Sequence, residues 1–92
     1  MKNQTISIVA PIYNEEKNIP IFYAGLKKVL ADLDYDHEII FVNDGSRDGS
    51  LEELRKIEKN DEKVKVIDFS RNFGKEVAVT AGVNNSLGDA AL

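Results

Sequence analysis

The chain contains no cysteine, which excludes a disulfide framework and a thiolate metal site. Its single histidine, His37, excludes a histidine-rich metal cluster. No apolar run approaches the roughly 18 residues that cross a bilayer. Met1 to Thr5 lead straight into a strand-like segment and carry no apolar stretch of a signal peptide. Basic residues are outnumbered, 12 against 16, for a net charge of −4. Nucleic-acid affinity rests on clustered Lys and Arg, so no nucleic-acid partner is expected. What remains is ordinary for a soluble globular protein, 42% apolar and 30% charged. Disorder, collagen and coiled coil are therefore poor readings. A length of 92 residues allows one domain or part of one. A chain of that size buries ~64% of its unfolded surface, enough for one modest core.

Thr5 to Ile12 reads as a strand, because Ile6, Ile8, Val9 and Ala10 form a nearly continuous apolar run suited to a sheet covered on both faces. Pro11 ends its ladder. Phe22, Leu26, Val29, Leu30 and Leu33 form one helical stripe. Asn18 is its expected N-cap and Pro20 sits in its first turn. Glu38 to Val42 is a second buried strand, followed by a turn at Asn43-Asp44-Gly45-Ser46. Ser50 and Glu53 fit a capping box ahead of a helix carrying Leu51, Leu54 and Ile57. Val64 to Phe69 is a third strand, Lys75 to Leu87 a third helix with Gly88 at its C′ position, and Asp89 to Leu92 the start of a fourth strand. The order β-α-β-α-β-α predicts an α/β, Rossmann-like parallel sheet with right-handed crossovers. A chain that stops as a strand begins reads as a truncated domain.

Ligands of an open parallel sheet bind beyond the carboxyl ends of the strands. Three loops lie there: Pro11 to Glu16, Asn43 to Asp48, and Ser70 to Lys75. They hold Tyr13, Asn14, Glu15, Asp44, Ser46, Asp48, Arg71 and Lys75, none of which a core needs. The opposite loops show only turn and charge chemistry, and His37 and Asp89, at that end, are read as structural or surface groups. The first loop is acidic and lacks G-x-G-x-x-G, so it suits hydroxyl or N–H groups better than a pyrophosphate. A Tyr13 ring can stack on a base, and Glu15 can accept from a ribose hydroxyl. The plainer alternative makes Glu15 and Glu16 first-turn acids and Tyr13 a rim aromatic. Asp44, directly after a buried strand, is placed for a nucleotide sugar or base, or serves only as turn chemistry. Arg71 and Lys75 are candidate diphosphate cations, or solvated surface charges.

Taken together, Pro11-Ile12-Tyr13-Asn14-Glu15-Glu16, Val42-Asn43-Asp44-Gly45-Ser46-Arg47-Asp48-Gly49-Ser50 and Ser70-Arg71-Asn72-Phe73-Gly74-Lys75-Glu76 resemble family 2 glycosyltransferases of the GT-A fold. Within that family they are similar to the bactoprenol (polyprenyl-phosphate) glucosyltransferases and dolichol-phosphate mannose synthases. The resemblance runs from about Ile6 to Leu92. It implies an N-terminal nucleotide-binding half of a GT-A domain, residues 1–92. The parent would move a glucose- or mannose-type sugar, with inversion, from a UDP- or GDP-type donor to a polyprenyl phosphate at the cytoplasmic membrane face. By the same resemblance Pro11, Tyr13 and Glu15 line the base and ribose pocket, Asp44 bonds the base with Ser46 beside it, and Arg71 and Lys75 lie near the donor phosphates. The D-x-D motif that binds Mg²⁺ or Mn²⁺ in the family follows the fourth strand, so the metal is expected in the full-length parent and not on this chain alone. The general base and acceptor site are expected after Leu92 as well, which leaves no catalytic residue within the chain and no transfer activity for it alone. Its uncovered sheet edge invites self-association. A non-enzymatic nucleotide-binding or signalling module of receiver type is the alternative, disfavoured because the third strand ends in Phe69-Ser70-Arg71 and not in an Asp. A dinucleotide-binding dehydrogenase half lacks its glycine fingerprint.

Overall fold

The computed structural model describes residues 5–33 and 35–86, and the backbone of 90–91. The elements run β1 (Thr5–Ile12), α1 (Ile19–Ala31), β2 (Asp36–Asp44), α2 (Ser50–Asn60), β3 (Val64–Phe69), α3 (Lys75–Asn84) and β4 (Ala90–Ala91). All strands pair in parallel, in the order β3-β2-β1-β4. The α/β, Rossmann-like arrangement expected from the sequence is thus the one found.

The central strand explains the layering. Ile39, Ile40, Phe41 and Val42 of β2 are all fully buried, and alternate side chains point to opposite faces. Ile39 and Phe41 join Ile8, Ala10 and Ile12 beneath α1 and α2. Ile40 and Val42 join Val9, Ile67 and Phe69 beneath Ala78 of α3. Two helices therefore cover one face and the third covers the other. The chain crosses from one edge of the sheet to the other between β3 and β4. This crossing is the topological switch beside which open sheets bind ligands, at the carboxyl ends of the strands. No described helix is long and apolar enough to cross a membrane.

Several local expectations differ from what is found. The β1 ladder does not end at Pro11 but runs on to Ile12, paired with Asn43, and β2 extends from Asp36 to Asp44, so that Asn43 and Asp44 are strand residues paired with Asp68 and Phe69 and the turn begins at Gly45. The buried line of α1 is Ile19, Tyr23, Leu26 and Leu30, while Phe22, Val29 and Leu33 are 45%, 60% and 43% exposed. Two overlapping stripes share Leu26 and Leu30, and the helix turns the other one to the sheet. Asn18 stands at the N-cap of α1 as expected, but its side chain makes no capping bond. The Glu15 carbonyl instead accepts the N–H groups of Asn18 and Ile19 at 2.9 and 3.0 Å. The capping box at Ser50 does not form either, since Gly49 is the N-cap and Asp48 Oδ1 accepts the Ser50 N–H at 2.9 Å. Finally, α3 ends at Asn84, where Asn85 Nδ2 donates to the Ala81 carbonyl at 2.8 Å and Ser86 Oγ to the Val83 carbonyl at 2.9 Å. Such side chains compete for the last helical carbonyls. Leu87, Gly88, Asp89 and Leu92 lie outside the described residues.

Candidate functional site

At the carboxyl ends of the strands, Pro11, Ile12, Tyr13 and Glu15 face Asp44, Asn72, Gly74 and Lys75 across a cleft of about 480 Å³. That volume falls in the range of small-ligand sites. The cleft is made by three loops, and side chains reaching between them fix each one.

The first loop turns at Asn14, whose φ of 53° is in the left-handed region that Asn tolerates. Asn14 donates its N–H to Ser46 Oγ at 2.9 Å, and its Oδ1 accepts the Arg47 N–H at 2.8 Å. Glu15 donates its N–H to Ser50 Oγ at 2.9 Å, and Glu16 to Asp48 Oδ2 at 3.2 Å. Glu16 Oε1 accepts the Gly49 N–H in return at 3.0 Å. Hydrogen bonding from Ser50 above all, with the Glu16 N–H, holds the Asp48 carboxyl below its ordinary value. These bonds leave the Tyr13 ring exposed at the rim. The Glu15 carboxylate, at the surface, accepts from Asn18 Nδ2 at 2.8 Å.

The second loop meets the third at Gly45. Its φ is +72°, and a Cβ there would stand 2.3 Å from both Arg71 C and Asn72 N. Two backbones approach so closely that no side chain fits between them. The alternation of β2 places Asp44 on the α3 side, where it is 3% exposed. Its Oδ1 accepts the Phe73 N–H at 2.8 Å, and its Oδ2 the Gly74 N–H and Asn72 Nδ2 at 3.1 Å each. A carboxylate offers about four acceptor positions, so its own chain leaves roughly one open.

The expected site residues thus divide. Pro11, Tyr13, Glu15, Asp44 and Lys75 come together around the cleft. Ser46 and Arg71 do not line it: Ser46 holds Asn14, and Arg71 stacks its guanidinium 4.9 Å from the Phe73 ring centre. Ser50, Glu16 and Asn72 carry structural weight in the site that the sequence did not single out. Gly45 and Gly74, each at positive φ, are the signals that could have pointed to the tight loop junction. Among the described residues, no group of three or more His, Asp or Glu is gathered as a metal ion requires, so these residues do not themselves fit the metal expected for the family.

At the other end of the sheet, Asp61 accepts from Tyr23 Oη at 2.5 Å and pairs with Lys27 Nζ at 3.0 Å. Lys27 Nζ lies 3.0 Å from His37 Nε2. Burial and the Asp61 hydrogen bond push the Tyr23 phenol up to about 12. Burial, then the Lys27 charge, hold His37 down. This network ties α1 to the start of β2 and β3, far from the cleft.

An open parallel sheet with a cleft at the carboxyl ends of its strands, rimmed by an aromatic ring, a carboxylate and a lysine, defines an α/β protein with a candidate small-ligand site at its switch point. The profile of glycosyl transferase family 2 matches residues 7–92, and the chain belongs to that family. It is 50% identical over 86 residues to an uncharacterized glycosyltransferase of Bacillus subtilis, YkcC, covering 94% of this chain and 27% of that protein. It is 41% identical over 87 residues to the bactoprenol glucosyl transferase of Shigella phage SfX, covering 95% of this chain and 28% of that one. Among solved structures, S. aureus TarS 1–349 superposes with a TM-score of 0.72 at 26% identity, over all of this chain and 27% of that one. A Pyrobaculum calidifontis mannosyltransferase solved with GDP-Man and Mn²⁺ superposes with a TM-score of 0.71 at 21% identity, over 97% and 26%. The chain spans little more than a quarter of the length of these relatives.

Proposed function

We propose that residues 1–92 form the N-terminal, nucleotide-binding part of a GT-A glycosyltransferase domain. The longer protein would transfer a glucose- or mannose-type sugar, with inversion, from a UDP- or GDP-linked donor to a polyprenyl phosphate at the cytoplasmic membrane face. Membership of the family and the bactoprenol substrate in a relative's name support the reaction class and acceptor. The mannosyltransferase neighbour, in complex with GDP-Man and Mn²⁺, accords with a nucleotide donor and with Mg²⁺ or Mn²⁺ use in the longer protein. The observation that carries the reading is the convergence of Tyr13, Glu15, Asp44 and Lys75 on one cleft.

In this reading each residue has a physical task. The Tyr13 ring stacks on the base. Glu15 accepts from ribose hydroxyls, and the acceptor position left on Asp44 meets a base N–H. Pro11 forms the apolar floor. The Lys75 ammonium faces the donor diphosphate, with Arg71 reaching it from outside the loop. Ser46 keeps Tyr13 and Glu15 in place through Asn14. The chain alone transfers no sugar, since the groups that activate the acceptor and neutralise the leaving diphosphate belong to the rest of the protein.

The test is a titration of UDP, GDP and NAD into the isotope-labelled chain, followed by NMR shifts. The reading requires UDP or GDP to move the amides of Tyr13, Glu15, Asp44 and Lys75. Shifts with NAD alone, or with no nucleotide, overturn it.

A further inference from the structure

Nucleotide recognition by this cleft needs the third loop to deliver Lys75 to the right place, and one exposed side chain governs that loop. We infer that Asn72 is a positioning residue: its pairing with Asp44 sets where Lys75 stands toward the diphosphate of a bound donor. This inference rests on the nucleotide-binding reading above and assigns within it a residue of the cleft wall whose side-chain N–H groups are turned to Asp44.

Asn72 Nδ2 donates to the Asp44 carbonyl at 3.0 Å and to Asp44 Oδ2 at 3.1 Å. The next two residues give their N–H groups to the same carboxylate. Gly74 then adopts φ 104° and ψ 155°, a conformation open essentially to glycine alone, and its carbonyl accepts the Ala78 N–H at 3.1 Å as α3 begins. Lys75 follows immediately. From Asn72 to Lys75 the chain therefore has no slack. Four hydrogen bonds to one residue and a glycine-only turn fix the lysine's backbone. Asn72 is the side chain that reaches from the third loop back to Asp44, and at Gly45 the two backbones already touch.

The opposite wall of the cleft is secured independently. The backbone of Asn14, Glu15 and Glu16, next to Tyr13, is held by Ser46 and Asp48 of the second loop and by Ser50 at the start of α2, and no bond of that set involves Asn72. Without the Asn72 amide, Asp44 still holds the Phe73 and Gly74 N–H groups, and Tyr13 and Glu15 keep their ties, so the loss should fall mainly on the diphosphate end of the cleft and only weakly on the nucleoside end. A side chain needed only for folding would weaken both ends alike.

The experiment compares UDP with uridine and GDP with guanosine, each titrated by NMR into the wild-type chain and into Asn72→Ala, Lys75→Ala and the double variant. The expected result is that Asn72→Ala weakens the diphosphate by about tenfold, the size of one lost charge-assisted contact. The nucleoside should stay within about twofold, and Asn72→Ala should add nothing in the Lys75→Ala background, because the effect runs through that lysine. Asn72→Ser, too short to span both Asp44 oxygens, gives the same split should the alanine variant lose its fold. Equal weakening of nucleoside and diphosphate, an unchanged diphosphate affinity, or full additivity with Lys75→Ala overturns the inference while leaving nucleotide binding intact. A wild-type chain that binds none of the four ligands overturns the nucleotide reading itself, and the positioning role with it.

Discussion

Gly45→Ala is the sharpest perturbation of the loop junction, and its cost can be worked from the geometry. Alanine at a φ of +72° costs ~1–2 kcal/mol from the left-handed conformation alone. The added Cβ would stand 2.3 Å from Arg71 C and Asn72 N and 2.8 Å from Arg71 Cα. All three are backbone atoms, so no rotamer change relieves the clash and the second and third loops must part. Parting them breaks bonds to the Asp44 carboxylate, which is buried and then left short of donors. Losing one such bond to a charged group costs ~1.5–3 kcal/mol. The sum, about 2.5–5 kcal/mol, is a large share of the 5–15 kcal/mol that holds a typical domain. For a chain of this size it lowers Tm by roughly 10 °C or more. Gly74→Ala is the control. Its φ is +104° but nothing lies within 4 Å of the added Cβ, so strain of ~1–3 kcal/mol is the whole effect. Thermal and urea unfolding followed by circular dichroism measure both. A Gly45→Ala variant that loses less than about 1 kcal/mol, or less than Gly74→Ala does, refutes the close-packed junction.

Other expectations concern the far end of the sheet and the first loop. His37 is held below its ordinary value of 6.5 by burial first and Lys27 second. As pH falls through 6.5 the unfolded chain therefore binds a proton that the folded chain refuses, and stability declines. His37→Gln should flatten that part of a pH–stability curve, and an unchanged slope contradicts the packing described. Burial pushes Asp61 up, but hydrogen bonds from Tyr23, the Lys63 N–H and Lys27 outweigh it and leave it below 3.8. Its contribution is present above 3.8 and lost as pH drops through the folded value, a second, more acidic decline that Asp61→Asn should remove. Tyr23 works in the opposite direction: its phenol is raised from 10.0 to about 12, so its contribution is complete below pH 10 and disappears as pH rises through about 12. Tyr23→Phe should cost about 1 kcal/mol at neutral pH and abolish that alkaline loss in a pH series of urea melts. Ser50→Ala deletes a fully buried hydroxyl that accepts the Glu15 N–H, for ~1–3 kcal/mol in chemical denaturation. The Glu15 amide should also exchange faster with solvent, and an equal exchange rate in the variant would show that the tie is not formed in solution.

Much of the fold was legible because its signals are local. Ile39 to Val42 form an unbroken apolar run, which only a strand covered on both sides can bury, and the helical spacings between strands fixed the order. Stripe direction was not legible. Phe22, Val29 and Leu33 share a helical period with Leu26 and Leu30, and periodicity alone cannot decide whether they or Ile19 and Tyr23 meet the sheet. The capping box at Ser50 failed for a similar reason. The S-x-x-E pattern is there, but Asp48, two residues earlier, takes the N–H it would need, and the Ser50 hydroxyl goes to Glu15 instead. In the site, the loops themselves could be placed from strand ends. The ties between them could not, since Glu15 and Ser50 are 35 residues apart and Asn72 and Asp44 are 28 apart, and no spacing rule connects such pairs. Asp44 illustrates the gap: its place after a buried strand marked it for a ligand, and three of its acceptor positions turn out to bind its own chain.

The most direct test of the nucleotide cleft is a crystal structure of the chain soaked with UDP or GDP. The account predicts a nucleoside between Tyr13 and Asp44, its sugar against Glu15 and its diphosphate turned toward Lys75. A nucleotide seated beside His37 and Asp61, or in the furrow between α1 and α2, would contradict it.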